Sequence, residues 1–145
     1  MIKKNNIIII LLFFISFTVN ALSENNFFTE AKKNFDEKNY DDSKFLFQRN
    51  IVFNPKDENS YLYLAKIFNI EQNEQEKEKN INTVLLLNPK NEEAISILME
   101  IELKKSNYSK VRELMENFTK VCIKLCDNKN SILQSLKNLE PKNES

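Results

Sequence analysis

From Phe27 onward, apolar residues recur at spacings of three and four, the spacing of one face of a helix and not of a strand. Phe27, Phe28, Ala31 and Phe35 form a stripe that predicts a helix over 27–38, broken by Asn39. Leu46, Phe47, Ile51 and Phe53 line a second helix, over 41–53, which ends at Asn54-Pro55. A third, over 58–70, carries Tyr61, Leu64, Ala65 and Phe68. A fourth, over 73–87, opens in the polar run Gln72 to Asn80 and then presents Ile81, Val84, Leu85 and Leu87 before Asn88-Pro89. Ala94, Ile95, Leu98, Met99 and Ile101 predict a fifth over 92–105, and Ser106-Asn107 breaks it. The sixth opens at Tyr108, carries Val111, Leu114, Met115, Phe118 and Val121, and is expected to run to about Leu125. A last helix, over 129–139, has Ile132, Leu133 and Leu136 on one face and Asn130, Gln134 and Lys137 on the other.

The punctuation between these helices repeats. Asn54-Pro55-Lys56-Asp57-Glu58-Asn59 returns 34 residues later as Asn88-Pro89-Lys90-Asn91-Glu92-Glu93. Proline lacks the backbone N–H and clashes with the preceding turn, so each Asn-Pro marks a helix end. Asp57 or Asn59, and later Asn91, are placed to cap the helix that follows. A fixed interval of this size is the mark of a stacked solenoid. One helix pair cannot bury its apolar face alone, so neighbouring units supply the core and a half-polar helix closes the end. The expected fold is therefore all-α, an α-solenoid of three helix pairs. The units are about 24–57, 58–91 and 92–126, with a capping helix over 127–140 and a frayed tail at 141–145.

The paired helices resemble tetratricopeptide repeats, which implies that the α-solenoid is right-handed. That pattern has a bulky residue early in the first helix of each unit, a small residue four positions later, a tyrosine at the turn and a closing proline. Phe27, Ala31, Tyr40, Phe47 and Pro55 fit it in the first unit; Tyr61, Ala65, Phe68 and Pro89 in the second; Ile95, Tyr108 and Met115 in the third. The chain departs from the pattern where a small residue is expected, at Ser43, Lys77, Met99 and Val111, which predicts looser helix contacts there. Glu74 replaces the turn tyrosine of the second unit, which predicts an irregular turn.

The resemblance implies a concave groove, lined by the first helix of each unit, that binds a peptide or a partner helix. Its register puts Phe28, Lys32 and Phe35 there from the first unit, Leu62, Lys66 and Asn69 from the second, and Ser96, Glu100 and Leu103 from the third. Lys32 and Lys66 share a register position. Two ammonium groups beside an amide can hold a carboxylate, from a chain terminus or an acidic side chain. Phe28 and Leu62 line apolar pockets if they are exposed and belong to the core if they are not.

The N-terminus follows a different pattern. Lys3 and Lys4 precede an apolar run from Ile7 to Val19, and Val19-Asn20-Ala21 offers small residues for cleavage. That order is that of a secretory signal peptide over 1–21, cut after Ala21 or Ser23. The apolar run is shorter than the ~20 residues of a spanning helix. An uncleaved anchor over residues 5–21 is the alternative. The implied destination is the bacterial periplasm or the extracellular space.

Composition narrows the function. The 145 residues include 21 basic and 21 acidic side chains and neither His nor Gly. A neutral chain lacks the basic face that nucleic acid needs. Without His the commonest general base and metal ligand is missing, and without Gly no phosphate-cradling loop can form. No catalytic residue, metal site or cofactor is expected, and the scattered carboxylates form no acid–base pair. The expected role is that of a non-catalytic interaction module or adaptor in the periplasm or cell envelope, with a protein or peptide partner.

Cys122 and Cys126 are the only cysteines. Four apart on one predicted helix, they share a face, and export makes a structural disulfide the first reading. The bridge requires the end of the sixth helix to distort. Free buried thiols, and a redox-active or thiol-dependent envelope protein, are the alternatives.

Overall fold

The computed structural model describes residues 24–139. Residues 1–23, where a signal segment is expected, and the tail beyond Leu139 lie outside the described residues. Among these residues every regular element is a helix: α1 (Glu24–Asp36), α2 (Tyr40–Phe53), α3 (Glu58–Ile70), α4 (Glu74–Leu87), α5 (Glu92–Lys104), α6 (Tyr108–Val121) and α7 (Asn128–Leu139). The chain divides into two compact units, Met1–Ser60 and Tyr61–Ser145, each taken by itself below.

In the first unit α1 packs on α2. Ala31 and Phe47 are fully buried, and the Phe28 ring meets Phe47 edge-on at 5.6 Å. Ser43 is fully buried against α1, its hydroxyl donating to the Ala31 carbonyl at 2.8 Å. The helices are therefore in close contact at this position, not loose, because a hydroxyl with a backbone acceptor fits where a larger side chain would not. Below α2, Asn50 donates to Asp57 at 2.7 Å and to Ser60 at 2.9 Å, and the Ser60 hydroxyl donates to Asp57 at 2.6 Å. This polar knot, almost wholly buried at Asn50 and Ser60, fixes the bend that Pro55 opens. Full satisfaction is what makes such burial tolerable.

In the second unit one core joins Leu62 and Ala65 of α3, Ile81 and Val84 of α4, Ala94, Ile95, Leu98 and Met99 of α5, Val111, Leu114, Met115 and Phe118 of α6, and Ile132 and Leu136 of α7. Met99 and Val111 are fully buried, so these two departures from small residues are also filled. Lys77 is 4 % exposed; its ammonium donates to Asn69 at 3.2 Å and pairs with Glu74. Its charge is thus paired at the mouth of the buried site while its stem packs. Lys104–Glu74 at 3.0 Å and Lys105–Glu78 at 2.5 Å then tie α5 to α4.

The turns inside the helix pairs are uniform. Lys38, Gln72 and Ser106, spaced by 34, have φ of 65°, 59° and 59°. In each turn the amide after the left-handed residue bonds back five residues, Asn39 to Asn34 at 2.8 Å, Asn73 to Phe68 at 2.8 Å and Asn107 to Glu102 at 2.9 Å. These are Schellman caps, in which the left-handed residue lets the chain satisfy its last carbonyls. The turn before α4 is as regular as the others, against the expectation drawn from Glu74. The backbone at 71–73 sets this geometry, and Asn73 opens α4 by accepting from the Glu76 amide at 3.2 Å.

Two helix ends differ from expectation. α1 begins at Glu24, one turn before Phe27. α6 stops at Val121 and does not reach Leu125, because Cys122 adopts an extended conformation, with ψ 138°, as its C-cap.

Candidate functional site

Each groove position has a definite place. In the first unit Phe28 is half-buried against Phe47, and Phe35 meets Tyr40 edge-on at 5.6 Å. Lys32 is exposed and pairs with Asp36 one turn along α1 at 2.7 Å.

In the second unit Leu62 is a core residue, 6 % exposed, and offers nothing to a ligand. Its neighbour in sequence, Tyr63, stands half-buried beside Lys66 instead. The Lys66 ammonium lies 4.9 Å from the Tyr63 ring centroid and 2.8 Å from Glu93 at the start of α5. A cation held between a carboxylate and an aromatic face is still open to exchange, because Lys66 keeps about a quarter of its side chain in water (28 %). Asn69 is exposed and accepts from Lys77. Ser96 is buried, its hydroxyl receiving the Asn128 side-chain amide at 3.0 Å from α7. Glu100 is exposed, whereas Leu103 packs half-buried against the core.

Of the expected groove positions in the second unit, Asn69 and Glu100 are exposed, Lys66 is partly exposed, and Leu62 and Ser96 are buried. Tyr63 and Glu93 were missed in the sequence. Tyr63 precedes Lys66 by three positions, the helical spacing at which a ring and an ammonium meet, and this could have marked it. Glu93 sits on another helix, and no local pattern announces it.

Cys122 and Cys126 form a disulfide with Cα atoms 5.3 Å apart, inside the span a bridge requires. Cys122 takes the C-cap position that Asn54 and Asn88 hold at the earlier junctions, so the bridge lies in the linker where those junctions have proline. The bridged turn is held from α5. A Glu92 carboxylate oxygen accepts from the Lys124 amide at 3.0 Å and the Leu125 amide at 2.9 Å. Hydrogen bonding from the Leu125 amide foremost, with the amides of Ile123 and Lys124, holds the Glu92 carboxyl below its ordinary acidity range. Glu74 is lowered too, by its bonds to Lys77 and then Lys104. Both shifted carboxylates thus serve to fasten helices.

Among the described residues no cluster of three or more metal-binding side chains occurs, and no helix is long and apolar enough to cross a membrane.

No family model matches the sequence, and none of the curated proteins matches it. The fold, in contrast, is shared. The first tetratricopeptide domain of Spaghetti (RPAP3), solved with the HSP90 peptide SRMEEVD, superposes with a TM-score of 0.69 at 13% identity, over 81% of this chain and 94% of that one. The type III secretion chaperone SycD of Yersinia enterocolitica, with a peptide of the translocator YopD, gives 0.69 at 14% identity over 79% and 92%. The TPR2B domain of yeast Sti1, in a complex with pHsp70, gives 0.70 at 11% identity over 82% and 99%. The chain has the tetratricopeptide fold.

Proposed function

We propose that this chain is a non-catalytic interaction module of the periplasm or cell envelope that binds an acidic peptide segment of a partner protein. The observation that carries the reading is the Lys66 ammonium, held against Tyr63 by an exchangeable bond to Glu93 on the exposed side of a helix-pair fold. A peptide carboxylate can replace Glu93 at this cation with little net loss, since an ion pair with both side chains partly in water stabilises by only about 0–1 kcal/mol. Asn69, three positions beyond Lys66 on α3, and Glu100, exposed on α5, are polar groups that can read the peptide backbone or a basic neighbour. The fold supports the same use. Domains of this architecture have been solved with peptides, one of them, SRMEEVD, ending in two glutamates, a valine and an aspartate. The disulfide supports export, since such bridges persist in oxidising compartments. Cleavage after Ala21 or Ser23 would release the mature chain; fractionation that leaves the full chain in the membrane pellet would instead support the anchor over 5–21.

The test is in-cell cross-linking and capture with the tagged full chain, set against a Lys32→Glu/Lys66→Glu variant shown to be folded by circular dichroism. The reading expects one identified partner, lost from the variant and rebound by wild-type protein when both are purified. A partner retained undiminished by the folded variant would move binding away from Lys66.

A further inference from the structure

α2 carries an apolar stripe on its exposed side. Phe45 and Val52, two helical turns apart and so on one face, are 60 % and 77 % exposed. Ser43, Phe47 and Asn50 hold the buried face of the same helix. The repeat does not require this stripe. One and two intervals later the same positions hold Lys79 and Leu86 on α4, and Glu113 and Lys120 on α6. Charge is divided along α2 as well. Near its start a cleft of about 250 Å³ is lined by the apolar Phe45 and Leu46 and the polar Glu30, Asn34 and Asp42. Both acids are exposed. Beyond its end, Lys56 stands exposed in the turn after Pro55. The order along this face is therefore acid, apolar, apolar, base.

We propose that this face of α2 binds α2 of a second copy of the chain, antiparallel, about a two-fold axis near Gln48 and Arg49. Acid, apolar, apolar, base is its own complement when reversed. Phe45 then meets Val52 of the copy, Lys56 of the copy enters the cleft beside Glu30 and Asp42, and the two-fold makes each contact twice. A parallel arrangement sets acid against acid and base against base, and is disfavoured. The contact draws on no charge already engaged within the chain. Asp41 pairs with Lys44 at 3.7 Å and Arg49 lies over the Phe27 ring at 4.4 Å, and neither is used. One helix pair buries less than the ~800 Å² per partner of a standard interface, so the dimer forms reversibly. The face lies wholly in the first unit and is independent of the site at Lys66.

The test is sedimentation of the chain as purified from the producing cell, over a range of concentrations. A reversible dimer is expected, weakened about tenfold or more by Phe45→Glu, a residue whose exposure leaves the fold intact. Charge reversal then tests the arrangement. Lys56→Glu alone, and Glu30→Lys with Asp42→Lys, each set like charges together at both ends of the contact and should each be largely monomeric. Mixed together, the two variants should form a mixed dimer about as tight as the wild type, because every contact between them is again between opposite charges. Should the Glu30/Asp42 variant fail to fold, Asp42→Lys takes its place. Photo-cross-linking from Gln48 identifies the occupant without relying on any of these variants, and an adduct of twice the chain mass is expected. A monomer at every concentration overturns the proposal, as does a dimer indifferent to Phe45→Glu. Charge variants that stay monomeric on mixing overturn the antiparallel contact. An adduct with a different protein overturns the choice of occupant. A folded Lys66→Glu variant that loses its peptide partner and stays dimeric shows the two sites to be separate.

Discussion

Lys38, Gln72 and Ser106 sit in left-handed conformations that glycine adopts freely, and the chain has no glycine at all. For an L-residue with a Cβ this conformation costs roughly 1–2 kcal/mol, part of which glycine returns as chain entropy. Each of Lys38→Gly, Gln72→Gly and Ser106→Gly is therefore expected to stabilise by about 0.5–1 kcal/mol, and the three together by about 2 kcal/mol, since distant sites add. Urea midpoints measure this; a midpoint that falls in all three would show that the caps are not strained. Glu92 gives a second residue-scale expectation. Its carboxyl is held low by the amides of residues 123–125, so the stabilisation is complete above the ordinary carboxylate range and disappears as pH falls through the lowered folded value. Acid unfolding of Glu92→Gln should accordingly be less steep than that of the wild type, and identical acid limbs would contradict the assignment.

At the scale of elements, the helices were legible because three- and four-residue spacing of apolar side chains is imposed by burial along one face. The turns were legible only in part. Pro55 and Pro89 announced two junctions, but the regularity at 71–73 is a backbone property that the side chain at Glu74 does not report. The signal lay instead in Asn39, Asn73 and Asn107, which recur at the same interval and begin α2, α4 and α6. Whether Leu62 faces the groove or the core turns on one residue of helical phase, which sequence spacing does not resolve; the structure buries it. The end of α6 was misjudged because the bridge draws Cys122 out of the helix. That bridge closes a very short loop, for which loop entropy allows about 2 kcal/mol. Changing both cysteines to serine should lower stability by about that amount and leave α1 to α6 helical by circular dichroism. It should also leave capture of the partner intact. Loss of capture in a folded double-serine variant would favour the thiol-dependent alternative.

For the whole molecule, a tetratricopeptide fold carries the proposed interaction role on the exposed side of α3 and α5. The fold was readable because a 34-residue interval is a property of the entire chain. The site was less so, because Lys66 is neutralised by Glu93 across two helices and no local pattern encodes that pair. The most direct measurement is site-specific photo-cross-linking in the producing cell, with a photoreactive residue at Glu100 on α5 or, as the control, at the exposed Asn82 on α4. The account predicts one discrete adduct from position 100, competed by an acidic peptide, and none from position 82. Equal adducts from both positions, or an adduct from 82 alone, would contradict it.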